Sequence, residues 1–116
     1  MFFIQRPKIV DRIVNLVCAQ FEVSKRQVFG SGKQKRVALA RQTIMYLVRR
    51  GTELSYPEIG DVLRKDHSTV IKGDRKIKEL LLVERELRII VDAILKLLAS
   101  EARPFAALEN IHGDGI

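Results

Sequence analysis

Asp66-His67-Ser68-Thr69, followed by Lys72, is the densest cluster of chemically able side chains in the sequence. An acid, an imidazole and a hydroxyl raise the idea of a nucleophile, its base and an orienting group. Their spacing excludes it. Neighbouring residues on one helical turn diverge, so no hydrogen-bonded chain from hydroxyl through imidazole to carboxylate forms. No enzymatic activity is expected. A metal centre is not expected either, because the second histidine, His112, lies far off in the tail, and nothing calls for a cofactor. The chemistry that remains is recognition. Asp66 is a good N-cap, which makes His67, Ser68 and Thr69 a first helical turn whose free N–H groups attract phosphate. The first turns of a helix also reach base edges in a DNA major groove. There an aspartate accepts from cytosine N4, a threonine methyl packs on thymine, and histidine or lysine donates to base acceptors or phosphate.

Such a cluster needs a scaffold that presents it, and the preceding residues supply one. Ser55 and Glu58 form a capping box around Pro57, predicting a short helix over 55–63 with Ile59, Val62 and Leu63 inward. Gly60 permits a close helix approach, and Arg64-Lys65 makes the turn into the Asp66 helix, which Val70, Ile71 and Ile77 anchor. Before this pair, Ala40, Ile44, Leu47 and Val48 predict a helix over 37–50. Arg49 and Arg50 suit its last turn, and Gly51 is the expected C′ residue. Upstream of that helix, Gly30-Ser31-Gly32 breaks the chain, and Lys33, Lys35 and Arg36 follow as a basic arm on a loosened loop. Such an arm suits an adjacent minor groove, where a narrow A·T tract has enhanced negative potential. Arg41, Gln42, Arg49 and Thr52 are placed for backbone contacts that set register without reading sequence.

The rest of the chain also reads as helical. A first helix is expected over 7–21, from the spacing of Ile9, Ile13, Leu16, Val17 and Phe21, and a short second one over 23–29, capped by Ser24 and Gln27. No glycine or proline occurs between Asp74 and Arg103, where Leu87, Ile90, Val91, Ile94, Leu95 and Leu98 make a strong stripe. A break is expected near Val83–Glu84. The stripe fits packing on the core, or a dimer seam flanked by Arg85, Glu86, Arg88, Asp92 and Lys96. The segment after Pro104 is expected to fray, and Met1-Phe2-Phe3-Ile4 fits either a core plug or a docking patch. Sustained period-two alternation is missing, so the fold class is all-α.

Composition agrees. The chain has 116 residues, 47% hydrophobic, enough for a single domain with its own core. The net charge of +7 points to polyanionic partners. That charge is localised, with eight Lys or Arg and no acid between Ser24 and Arg50, and a local patch marks a binding face better than total charge does. Cys18 sits in an apolar helical pattern as a reduced core residue, which suits the cytosol. No apolar run is long enough to span a membrane.

These motifs together resemble the C-terminal DNA-binding domain of the bacterial replication initiator DnaA. The matching residues are V-A-x-x-R-Q at Val37–Gln42, M-Y-L at Met45–Leu47, Ser55 with P-E-I-G at Pro57–Gly60, and D-H-S-T-V with R-K-I within Asp66–Ile77. The likeness extends over about Ile9 to Leu82. It implies a helix-turn-helix of the Trp-repressor type that binds short asymmetric boxes in double-stranded DNA. Carried over by position, Asp66, His67, Ser68, Thr69 and Lys72 face the major groove, with Pro57 at its edge. Arg41, Gln42, Arg49 and Thr52 hold phosphates, joined by Arg75, and Lys33 or Lys35 takes the role of a minor-groove arginine beside Arg36. The chain departs from the family pattern at four places. Lysines replace the arm's arginine, Leu63-Arg64-Lys65 replaces a glycine pair in a shortened turn, and Lys72 and Asp74 replace a histidine and a cysteine. These departures make a changed target box the expectation.

The organisation expected is a DNA-binding domain over 5–82, a helical extension over 83–103 for packing or dimerisation, and a flexible tail over 104–116. No G-x-x-x-x-G-K-[ST] loop occurs in the 116 residues, so the reading is a free-standing DNA reader without the family's ATPase. Its expected function is regulation of replication initiation or transcription at DnaA-box-like sites, in the cytoplasm on the nucleoid, as monomer or homodimer. Two alternatives stand beside it: an adaptor that docks the initiator or another protein through the C-terminal helix, and a nonspecific architectural DNA binder.

Overall fold

The computed structural model describes residues 7–102. Within them the chain forms six helices and no strand: α1 (Lys8–Phe21), α2 (Lys25–Phe29), α3 (Lys35–Gly51), α4 (Tyr56–Leu63), α5 (His67–Val83) and α6 (Arg85–Ala102). The segments Met1–Ile4 and 104–116, including His112, lie outside the described residues.

The hub is α3, which packs against α1, α2, α4 and α5. Its inward face carries Val37, Ala40, Thr43, Ile44, Met45, Leu47 and Val48, all buried. Burial of a side chain of this size stabilises the fold by about 1.5–3 kcal/mol relative to exposure. Thr43 lies on that face without penalty, because its hydroxyl donates to the Leu39 carbonyl at 2.8 Å. Val10, Ile13, Val14 and Val17 of α1 meet α3 from one side, and Val70 and Ile77 of α5 join the same core.

Two glycines allow the approach of α5. A Cβ on Gly60 would sit 2.5 Å from the Lys65 carbonyl oxygen, and one on Gly73 would sit 2.6 Å from the Met45 sulfur. The first contact is with backbone at the turn between α4 and α5, which cannot yield without moving the start of α5.

Capping set most boundaries. Both capping boxes are present: Ser24 with Gln27 starts α2, and Ser55 with Glu58 starts α4. The ends differ from expectation. The helix α3 continues through Gly51 to a C-cap at Thr52, whose hydroxyl donates to the Val48 carbonyl at 2.7 Å and accepts from the Leu54 N–H at 3.1 Å. Thr52 thus does locally what Gly51 was expected to do. The left-handed caps fall instead on Glu22 (φ 55°) and Arg64 (φ 59°), ending α1 and α4.

The chain breaks between α5 and α6 at Glu84, where the sequence pattern placed it. Arg88 secures the break by donating to the Leu81 and Leu82 carbonyls at 3.1 and 3.3 Å, which lack helical partners at the end of α5. From α6, Leu87, Val91 and Ile94 enter the common core, and the helix packs on α1 and α5. Ile89, Leu95 and Leu97 of α6 stay exposed, with Leu82 and Val83 beside the break.

Candidate nucleic-acid interface

The start of α5 is built by one residue. Asp66 takes an extended backbone (φ −64°, ψ 143°) and its carboxylate accepts from the Ser68 N–H at 3.0 Å. The Ser68 hydroxyl donates to the same oxygen. These two bonds, the hydroxyl first, hold the Asp66 carboxyl below its ordinary range. His67 Nδ1 lies 4.0 Å from the other carboxylate oxygen. Asp66 and Ser68 are therefore partly engaged with each other, and His67, Thr69 and Lys72 stand exposed beside them. On the opposite side of the helix Val70, Gly73, Asp74 and Ile77 are buried. This split orients the polar turn outward. Farther along, Lys72, Arg75 and Lys76 line an open groove with Glu79, Leu80 and Val83. Pro57 is exposed in the first turn of α4.

The arm is shorter than expected. Lys33 lies in the loop, but Lys35 and Arg36 form the first turn of α3. Gln34 takes the N-cap position, and its carbonyl accepts from the Ala38 N–H at 2.9 Å. The run Lys-Arg-Val-Ala-Leu-Ala has good helix propensity, so the helix begins as soon as the glycines are passed. That helix start has no side-chain cap, no acid in its first turn and two cations. Cations there oppose the helix dipole. The Arg36 pair with Glu22, at 3.9 Å between exposed groups, offsets little of this.

The residues expected on phosphates divide into two sets. Arg75 is exposed, and Gln42 is half-buried against Gly73. Arg41 faces the protein: its Nε donates to the Val28 carbonyl at 2.7 Å, Nη2 to Gln27 at 3.0 Å and Nη1 to Gly32 at 3.2 Å. Arg49 donates to the Leu54 carbonyl at 2.8 Å and stacks on Tyr56, 4.6 Å from the ring centre. Thr52 is occupied by its cap.

Two features were not anticipated from sequence. Lys65 donates from Nζ to the Gly30 carbonyl at 2.6 Å, joining the α4–α5 turn to the root of the arm. Asp74, 1% exposed, accepts from Arg50 at 2.5 Å and from the Tyr56 hydroxyl at 2.7 Å, with Lys78 at 4.0 Å. Arg50 also lies over the Tyr46 ring, 4.0 Å from its centre. The signal for Asp74 was in the pattern, since it falls between Val70 and Ile77 on the buried face. Lys65 had no such signal, because its partner is 35 residues away.

Two helices joined by a tight turn and packed on a third, with a polar helix start and a basic loop brought beside it, define a helix-turn-helix protein. The chain belongs to the bacterial dnaA protein helix-turn-helix family, which it matches over residues 10–77. It is 37% identical over 86 residues to the chromosomal replication initiator protein DnaA of Oleidesulfovibrio alaskensis, covering 73% of this chain and 19% of that protein. To the DnaA of Thermomicrobium roseum it is 37% identical over 94 residues, 80% of this chain and 20% of the relative. To that of Corynebacterium aurimucosum it is 48% identical over 68 residues, 58% and 12% of the two chains. The chain thus spans about a fifth or less of the length of these curated relatives. Membership of this family supports DNA binding. No helix among the described residues is long and apolar enough to cross a membrane.

Proposed function

We propose that the chain binds double-stranded DNA sequence-specifically, at short sites like those of its family, and so regulates replication initiation or transcription. The observation that carries this reading is the outward turn of α5 beside a basic loop. His67, Thr69 and Lys72 are exposed at the start of α5, and Lys65 brings the loop that bears Lys33 against the same turn. In the reading, the start of α5 enters the major groove. His67 and Thr69 contact base edges, Asp66 and Ser68 keep the turn in shape while contributing their remaining lone pairs, and Lys72 extends the contact. Pro57 lies at the groove edge. Lys33 reaches the adjacent minor groove, and Lys35, Arg36, Gln42 and Arg75 engage phosphates. The uncapped, cation-bearing start of α3 suits this use, because a phosphate there satisfies the free N–H groups and relieves the charge opposing the dipole.

Selection from random duplexes tests the reading. An enriched motif is expected, and Thr69→Ala or His67→Ala should weaken binding to it by about tenfold or more, the scale of a base-edge contact. Affinity that varies with salt but shows no motif would make the chain an architectural binder. Absence of duplex binding at low salt would favour the adaptor reading, with its partner on the α6 side.

A further inference from the structure

We infer that Arg41 and Lys65 are positioning residues for the arm: together they lock the loop that carries Lys33 to both α3 and the α4–α5 turn, so that the arm and α5 are held at one fixed separation on the duplex. This rests on the duplex-binding reading above and deepens it.

Two grooves can be engaged at once only if the two elements that enter them keep the right spacing. The sequence between them looks unfit for that. Gly30-Ser31-Gly32 is a flexible linker by composition, and a side chain placed on Gly32 would meet nothing within 4 Å. Left to itself, the arm would lose conformational entropy on every binding event. The structure supplies the missing stiffness with two cations. Arg41 holds the carbonyls of Gln27, Val28 and Gly32, and Lys65 holds that of Gly30. Four carbonyls within six residues are thereby fixed at both ends of the glycine break. The two side chains lie together over Val28, Phe29, Ile44 and Leu63, so their stems are packed as well as their heads bonded. Burial lowers the pKa of both groups, and for Lys65 the neighbouring Arg41 adds to it. Two like charges side by side would normally separate, and separate carbonyls of one loop keep them together. Their origins matter most. Arg41 comes from α3 and Lys65 from the turn that leads into α5, so the loop is tied to the element it precedes and to the element it must work with.

The inference predicts coupling between residues that do not touch. In the wild-type background, Lys33→Ala should weaken binding to the selected duplex by about fivefold, the scale of one arm contact. In a Lys65→Met background, which keeps the packed stem and removes the donor, the same Lys33→Ala change should cost less than about twofold, because the arm is no longer delivered. Lys65→Arg, which keeps a donor, should restore the full effect. Equal losses in the two backgrounds would overturn the inference. A second readout separates positioning from direct contact. In the Lys33→Ala background, Lys65→Met should leave the slope of log affinity against log salt unchanged, and a drop of about one would make Lys65 itself a phosphate ligand. The clamp can also be read without DNA. Amide exchange at 30–33 should accelerate at least tenfold in Lys65→Met, or in Lys65→Gln if the methionine variant melts early. Unchanged exchange in a folded variant would overturn the inference. Failure of the wild-type chain to bind any duplex would instead remove the function proposed above and leave the exchange result standing.

Discussion

Basic side chains serve two different purposes in this protein, and the sequence does not distinguish them. Arg41, Arg49, Arg50 and Lys65 donate to carbonyls or to a buried carboxylate. Lys33, Lys35, Lys72 and Arg75 are exposed on the loop, the start of α3 and α5. Along the chain the inward group lies between the two halves of the outward one, with nothing in the residue types to mark the change. What separates them is proximity, after folding, to a backbone carbonyl or to the buried carboxylate of Asp74. Arg41, Arg49 and Lys65 lie beside carbonyls of loops and helix ends and Arg50 beside Asp74, and a long cation is a ready donor for either. The outward group has no such acceptor in reach, and so remains available to phosphate. A basic stretch thus marks a binding face only after the cations that hold the fold are subtracted.

Removing one member of each group tests that division, and the inward one should give the largest effect. Arg50→Met takes the guanidinium from Asp74 and leaves a buried carboxylate with Tyr56 as its hydrogen-bond donor and Lys78 at 4.0 Å. The loss expected is about 3 kcal/mol of folding stability, at the low end for a broken buried pair because Arg50 is itself partly in water. Urea unfolding measures it. Binding by the fraction that remains folded should change little. A stability loss below about 0.5 kcal/mol would show that the pair is no more than a surface bridge.

The outward group should behave in the opposite way. Arg75→Ala is expected to leave stability within about 0.5 kcal/mol of the wild type. It should weaken binding to selected and unselected duplexes alike and lower the salt slope by about one. Titration at several salt concentrations decides it. Loss confined to the selected duplex would mean that Arg75 reads sequence.

The same contrast explains how much the sequence disclosed. Helices were legible wherever a local rule decided them. Ser24 with Gln27, Ser55 with Glu58, and Asp66 each cap within three residues, and the stripe of Ile44, Leu47 and Val48 repeats within one helix. The break expected near Val83–Glu84 falls at Glu84. Non-local partners were not legible. Arg41 meets carbonyls 9 to 14 residues away, Arg50 meets Asp74 at 24 and Lys65 meets Gly30 at 35. Nothing in a run of basic residues tells which of them will lie beside an acceptor after folding. Lys35 differs for another reason: the glycines upstream loosen the chain, but the helix propensity of the residues that follow them starts α3 at Lys35.

The turn between α4 and α5 offers a smaller test of where conformation overrides composition. Arg64 holds a left-handed conformation that costs an L-residue with a Cβ about 1 kcal/mol. Its backbone N–H donates to the Asp61 carbonyl at 3.4 Å, and the Lys65 N–H donates to Gly60 at 2.9 Å, so the turn geometry is kept by main-chain bonds. Arg64→Gly should therefore raise stability by no more than about 0.5 kcal/mol, the relief of strain slightly exceeding the added freedom of the unfolded chain. Thermal unfolding checks it. A destabilised glycine variant would mean that the Arg64 side chain contributes packing that its exposure hides.

The smallest effect expected concerns acid. Asp66 and Glu58 both have carboxyls held below their ordinary range, Asp66 mainly by the Ser68 hydroxyl and Glu58 mainly by the Ser55 N–H. A carboxyl whose pKa is lower in the folded state than in the unfolded one releases its proton more readily when folded. Its contribution to stability is present above the unfolded pKa, near 4, and is lost as pH falls through the folded value. Melting temperature should accordingly stay level from pH 7 to about 5 and decline below it. Asn is as good an N-cap as Asp but does not titrate. Asp66→Asn should match the wild type at pH 7 and lose less on acidification, and Glu58→Gln should do the same at the start of α4. Identical acid slopes in the wild type and both variants would place the acid sensitivity elsewhere. A shallower slope in Asp66→Asn alone would set the two helix starts apart: the turn that presents His67 and Thr69 would then be the one whose shape depends on charge, and duplex binding should weaken over the same pH range.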